Sequence, residues 1–450
     1  PAASGGGAET VEAQALIAES VARAGEFPPR GLAAACAALA RIRGGAAKDA
    51  LDAFACAAAE KLAREPDAFN EQDVANIATA LARARRRGSP FFARLAEFLL
   101  GRRRLAEFFT SQGLANTLNA FAALDAALPR PLQSALAEAC REHAAAFSPP
   151  QLANVLNSLA RLRLEAAVAG DPQLWHAAVR LRLPGFSVQG LSNLFNAYAR
   201  LRVFEEDLLA EAARHLVGRR PADFGEQEVA NVLNACARLG FDCEFLVRFL
   251  EEQALQRTLP AFTSQGLANA ALALSRLRYS PGVVQPLAQE CLWRSAPTSS
   301  CAWEEPHHIV NAAFAFAFFG LRVRALATGW HDRLVAGLLH SLLRLLGPPA
   351  PGAEAPAKLS CEAVSQLYAV LTDRVAQRGG ALASWPLRDL AALARATDLC
   401  DPDALLKAFR DEVAANRNVE MSRLHTEVAA VAAPLHPPDA MVVDEAFVAP

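Results

Sequence analysis

The chain has 450 residues, 53% of them hydrophobic, and a formal net charge of −2. Ala and Leu dominate while β-branched residues are sparse, which excludes a sheet-based fold and predicts an all-α one. Near-neutrality supplies no overall pull towards nucleic acid, so any such binding has to come from local arrangement. Other classes fall away on the same reading. The nine Cys are scattered without a C-x-x-C or a zinc-like His spacing, so Cys36, Cys140 and Cys236 are expected to be small buried apolar residues. No uninterrupted apolar run is long enough to span a bilayer; the nearest, Ile309 to Phe319, contains Asn311. The chain begins at Pro1 without the charged n-region and apolar core of a secretory signal, a start that fits a processed chain, such as one that has lost an organellar transit peptide, and equally a sequence that begins late.

Residues 1–24 are expected to form an N-terminal segment with a capping helix. From there to residue 346 one motif recurs. Its clearest copy is Phe109-Thr-Ser-Gln-Gly-Leu-Ala-Asn116-Thr-Leu-Asn119-Ala-Phe-Ala-Ala-Leu124, and a weaker first copy starts at Phe27 with Ala34 in the Asn place. Others follow around Asn76, Asn154, Asn193, Asn231 and Asn269, with a divergent copy at Trp303 carrying Asn311. Successive copies are 38 to 42 residues apart, a series that chance does not produce.

Each copy opens with an aromatic residue followed by Ser, Thr, Asn or Gly, the chemistry of a helix N-cap. Leu114, Leu118, Phe121 and Ala122 then fall on one apolar face. The intervening segments predict a second helix, carrying Leu132, Leu136, Cys140 and His143 in one repeat and Phe241, Phe245, Phe249 and Leu250 in another. Two such helices cannot bury both apolar faces alone, so neighbours are expected to stack into an α-solenoid of antiparallel helix pairs. Beyond it, residues 347–358 form a Pro/Gly-rich linker. Residues 359–432 are expected to hold degenerate helical repeats, with Gln366 in the Asn place of one copy and Trp385 to Ala396 as another, and 433–450 an extended tail.

The Gln-Gly-Leu-Ala-Asn-x-Leu-Asn-Ala and Pro-Gln-Leu-Ala-Asn-x-Leu-Asn-Ser strings closely resemble the octotricopeptide repeat, a 38-residue helix pair of algal and alveolate organelle proteins. The likeness spans about residues 25 to 320 and is strongest from Phe109 to Leu277. It implies RNA as partner and an organelle as location, with transcript processing, stability, translation or membership of a mitochondrial ribosome as the role. The sequence departs from the family in having Asn119, Asn157, Asn196 and Asn234 where Trp is usual, and in showing no convincing C-terminal RAP domain.

On a helix, Gln112, Asn116 and Asn119 share one stripe, and Gln189, Asn193, Asn196 and Arg200 extend it. The same columns contain Asn76, Asn154, Asn157, Asn231, Asn234 and Asn269. Such amides either tie successive helices in a hydrogen-bond ladder or line an RNA-facing surface. An almost constant Asn cannot distinguish bases, which favours the ladder. The position after the Gln column does vary, as Asp73, Gly113, Gln151, Gly190, Glu228 and Gly266, but so many glycines make a poor base code. Backbone or shape recognition is expected instead.

An Arg-x-Arg recurs where the motif helix ends, at Arg41/Arg43, Arg83/Arg85, Arg161/Arg163, Arg200/Arg202 and Arg276/Arg278. Cations there complement the helix dipole, and the outer members Arg43, Arg85, Arg163, Arg202 and Arg278 are candidates for RNA phosphates. Arg86, Arg103 and Arg220, within Arg runs, are further candidates. Phosphate-loop, G-x-S-x-G and H-E-x-x-H signatures are absent from the sequence. No catalytic residue, metal site or cofactor is therefore expected, and Cys140/His143 and His307/His308 are the pairs worth naming. The reading is a non-enzymatic organellar RNA-binding protein, foremost a structural subunit of the mitochondrial ribosome holding rRNA among neighbouring subunits. A plastid is the other location. The alternatives are a protein-binding scaffold of an organellar complex and a trans-acting factor for one transcript.

Overall fold

The structure is a computed structural model that describes residues 11–42, 44–277, 281–296 and 303–322, scattered positions from 334 to 366, and 441–443 with 446–448. The 347–358 linker, nearly all of 359–432 including Trp385 to Ala396, and residues 1–10 lie outside the described residues. The chain divides into two compact units, Pro1–Arg219 and Arg220–Pro450, with the boundary inside the run of repeats.

In the first unit α1 (Val11–Ala22) precedes the repeats. The motif helices are α2 (Pro29–Leu39), α4 (Glu71–Arg83), α7 (Ser111–Ala123), α9 (Pro149–Arg161) and α12 (Val188–Leu201). Between them run α3 (Gly45–Arg64), α5 (Phe91–Leu100), α6 (Leu105–Phe108), α8 (Arg130–Glu142), α10 (Ala166–Ala169), α11 (Pro172–Arg180) and α13 (Glu206–Val217). Each motif helix packs on the next, from α2 through α4, α7 and α9 to α12, while α3 packs on α5, and both α5 and α6 on α8. In the second unit α14 (Glu226–Leu239) packs on α17 (Ser264–Arg276), and α17 on α19 (Pro306–Arg322). Around them lie α15 (Glu244–Phe249), a π-helical turn Leu250–Leu255, α16 (Gln256–Thr258) and α18 (Pro281–Arg294). All described secondary structure is helical except β1 (Met441–Val443) and β2 (Ala446–Val448). These pair antiparallel with Met441 opposite Val448, where an extended tail was expected.

The local chemistry of each motif start is now explicit. Phe69, Phe109, Phe147, Phe186, Phe224 and Phe262 are all buried, each directly before an N-cap. In alternate repeats the N-cap side chain caps the third helical residue. Thr110 Oγ1, Ser187 Oγ and Thr263 Oγ1 accept from the N–H groups of Gly113, Gly190 and Gly266 at 3.0–3.1 Å. In the others the third residue reaches back: Asp73, Gln151 and Glu228 carboxylate or amide oxygens accept from the backbone N–H of Asn70, Ser148 and Gly225, and Asn70 Oδ1 accepts in return from the Asp73 N–H at 2.8 Å. The variable column after the Gln is thus a capping position, glycine where only the N-cap side chain bonds and a side-chain oxygen where the third residue reaches back.

One reason for glycine there is steric. Glu71 opens α4, its Oε1 accepts from Thr110 Oγ1 at 3.1 Å, and its Oε2 occupies the space that a Cβ on Gly113 would need. Glu226 stands in the same way against Gly266 in the second unit. Consecutive repeats of the first unit are also stapled on the other layer. Arg102 Nη2 donates to Pro66 O at 3.1 Å, and Arg219 Nη2 to Phe186 O at 2.8 Å. His143 Nε2 lies 3.0 Å from Ala106 O, and Arg182 donates to Ala145 O.

Apolar faces explain the layers. Leu114, Leu118, Phe121 and Ala122 are buried on α7, as are Leu132, Leu136 and Cys140 on α8. The Phe241, Phe245, Phe249 and Leu250 face needs correction: Phe241 precedes α15, Phe245 is 45% exposed and Phe249 half-buried. Because the helix starts at Glu244, its buried positions are Leu246, Val247 and Leu250, and the π-turn shifts the phase again.

Candidate nucleic-acid interface

The helical periodicity that buries the Leu and Ala columns turns the Asn columns outward. Asn76 and Asn154 are exposed, and Asn116, Asn193, Asn231 and Asn269 half-exposed, as are Asn157, Asn196 and Asn234; Asn119 is exposed. Gln72, Gln112 and Gln189 extend the stripe and are exposed too. Of the expected ladder, the described residues hold one rung: Asn196 Nδ2 donates to Asn157 Oδ1 at 3.4 Å, and Arg200 Nε donates to Asn196 Oδ1 at 3.4 Å. That rung joins equivalent positions of α9 and α12, so the two helices run side by side in register. Thr110, the N-cap of α7, meets Glu71, the first residue of α4, so these two helix starts also lie side by side.

The arginines at the stripe's end have an unusual backbone. Arg85, Arg163 and Arg202 have φ of +55°, +57° and +54°, together with Asp125 at +54° and Gly240 at +64°. All five lie nine residues beyond the Asn column, at the residue that terminates a helix in a left-handed conformation. The following N–H groups close the motif: Arg86 to Leu81 O at 2.9 Å, Ala126 to Phe121 O at 3.0 Å, Leu164 to Leu159 O at 2.9 Å, Val203 to Tyr198 O at 3.1 Å and Phe241 to Cys236 O at 2.9 Å. Glycine is the residue that adopts this conformation freely, and an L side chain costs about 1–2 kcal/mol there. Three repeats nevertheless place an arginine at it. The conformation projects these side chains from the helix end, and all three are exposed.

The other candidates divide by what they touch. Arg83, Arg85, Arg161, Arg163 and Arg103 are exposed and, among the described residues, make no ion pair. Arg86 instead turns to Asp52 on α3, with Nε donating to Oδ1 at 2.7 Å. Arg220 pairs with Asp223 at 2.9 Å. Arg103 lies in the turn between α5 and α6. Arg43 and Arg278 lie outside the described residues.

One member of each named pair, Cys140 and His308, is buried, and that shifts its titration. Burial pushes the Cys140 thiol up to about 12, which keeps it protonated at neutral pH. His307 and His308 are ring neighbours at 4.0 Å, and burial first, then His307, lowers His308 to about 4. Among the described residues no group of three His, Cys, Asp or Glu is placed to hold a metal ion. No helix among them is long and apolar enough to cross a membrane.

Taken together, the described residues form an all-α protein of repeated helices, packed on their neighbours within each unit, whose motif helices carry solvent-facing amides. The chain matches no protein-family model and no curated protein sequence.

Proposed function

We propose that the chain is an RNA-binding α-solenoid, and that its motif-helix face is where RNA lies. One observation carries the reading: solvent-facing amide stripes on packed motif helices run into arginines held in a strained conformation that glycine would adopt at no cost. Strain at an exposed cation is expected where the cation has a partner that repays it. Guanidinium groups suit phosphate because their planar fork donates two parallel hydrogen bonds. The amides, which donate and accept, suit sugar hydroxyls and base edges without selecting a sequence. The likeness to octotricopeptide repeats supports the same partner. It also supports an organellar location, and with it service as a resident subunit of a ribonucleoprotein such as the mitochondrial ribosome. A net charge of −2 fits a subunit that shares its surface between RNA and protein.

The test is filter binding of the full chain to RNA over a salt series. If Arg83, Arg85, Arg161, Arg163, Arg200 and Arg202 all engage phosphates, log affinity falls against log salt with a slope of about −4 to −5. Alanine at Arg83, Arg85, Arg161 and Arg163 together would flatten that slope. A wild-type response independent of salt, or no retention of RNA, removes the proposal.

A further inference from the structure

Resting on that reading, we infer that the α4–α7–α9–α12 face takes double-helical rather than unpaired RNA, laid with its wide, shallow groove over α7. The first observation is a gap in the cations. Helix α4 ends in Arg83 and Arg85, α9 in Arg161 and Arg163, and α12 in Arg200 and Arg202, whereas α7 has Ala123 and Asp125 at the same places. Asp125 shares the left-handed backbone of its arginine counterparts, so its carboxylate stands in line with their guanidinium groups. A single strand following that line would bring a phosphate against a carboxylate midway.

The amide stripe does not break with the cations. Gln112, Asn116 and Asn119 continue it across α7, set back from the arginine edge. Positive charge on both sides of a neutral, amide-lined strip matches two phosphate strands flanking a groove. The scale agrees: packed helices lie about 8–10 Å apart, so α4 and α9 are separated by about 16–20 Å. Neighbouring phosphates of one strand are far closer than that. In A-form RNA the wide groove displays 2′-hydroxyls, which donate and accept as the amides do.

The second observation concerns stacking. Surfaces that hold unpaired bases present successive aromatic rings. Among the described residues the large exposed aromatics are Phe204, Phe245 and Trp293, none on α4, α7, α9 or α12. Every motif aromatic from Phe69 to Phe186 is buried. The face therefore offers hydrogen bonds and charge, but no platform for a base.

Fluorescence anisotropy of the full chain with three probes of one sequence tests this: an RNA duplex of about 16 base pairs, its single strand, and the DNA duplex. The RNA duplex is expected to bind at least about tenfold more tightly than either other probe. Replacing Asn116 and Asn119 with Ser is expected to narrow the gap between RNA and DNA duplexes, and Asp125→Arg to improve single-strand binding. Equal or tighter binding of the single strand overturns the inference while leaving RNA binding intact. Equal affinity for the RNA and DNA duplexes overturns the role given to the 2′-hydroxyls. Absence of binding to any probe overturns the functional reading as well.

Discussion

Asn196 donates to Asn157 across 3.4 Å, a bond between the same position of two consecutive repeats. Like meets like because the two motif helices are parallel and in register, the geometry that turns a column in the sequence into a row on the molecule. The bond is long and half-exposed, so its contribution is small. We expect Asn196→Ala to cost no more than about 1 kcal/mol, and a double-mutant cycle with Asn157→Ala to give a coupling of about 0.5 kcal/mol. Urea denaturation measures both. A coupling of several kcal/mol would mean that the stripe is chiefly a structural ladder.

The left-handed arginines make an opposite demand on stability and binding. Arg163→Gly relieves the strained backbone but loosens the unfolded chain, for a net gain of about 0.5–1 kcal/mol. Asp125→Gly gains less, because Asp tolerates this conformation better than Arg. Thermal melting of the two variants gives the order. RNA affinity should fall with Arg163→Gly even as the melting temperature rises, and a drop in both would show that Arg163 serves the fold.

Arg102 holds one repeat to the previous one in several ways. Its guanidinium donates to Pro66 O, lies 3.5 Å from Asp67, and covers the Phe98 and Phe108 rings at 4.4 and 5.1 Å. We expect Arg102→Ala to destabilise by about 1–2 kcal/mol and Arg102→Lys to recover only part, since an ammonium cannot lie flat on both rings. Chemical denaturation of the two variants decides; full recovery by Arg102→Lys would rule out the ring contacts.

Stability should depend on pH through Glu251, 3% exposed on the π-turn. Burial first, then Glu252, raises its carboxyl from 4.5 to about 7, against a smaller opposing effect of Arg248. Between those values the folded chain keeps a proton that the unfolded chain has released, so stability falls as pH rises through the window and levels off above it. Glu251→Gln should remove that slope. His308 works the other way: its pKa is lowered to about 4, so its contribution is lost as pH falls from about 6.5 towards 4. Melting temperature against pH for Glu251→Gln and His308→Gln separates the two limbs, and unchanged profiles would show that neither group titrates as its burial implies.

Helix starts were legible because an aromatic followed by a capping residue is chemically explicit; the outward turn of the Asn columns was not, because a constant amide column reads equally as a ladder between helices, and the burial of the neighbouring Leu and Ala columns is what shows it. The π-turn was not: Phe241, Phe245 and Phe249 imitate an i, i+4 face, and only the actual start at Glu244 breaks the imitation. The left-handed arginines carried a faint signal, since Gly240 occupies their place in one repeat, but Arg-x-Arg reads equally well as an ordinary cationic helix end. Nor could spacing tell that Arg86 is engaged by Asp52, a residue 34 positions away, while its neighbour Arg85 is exposed. The capping alternation needed two columns considered together, because Gly113 is explained by Thr110 and Glu71 and not by its own column.

That last pairing sets where this protein can be cut and rejoined. Glu71 belongs to one helix pair and the vacancy it fills belongs to the next, so the transplantable cassette is a helix pair plus the first turn of its successor. Shuffling whole motifs by their aromatic boundaries would set a glutamate against a side chain in some junctions and leave an empty notch in others.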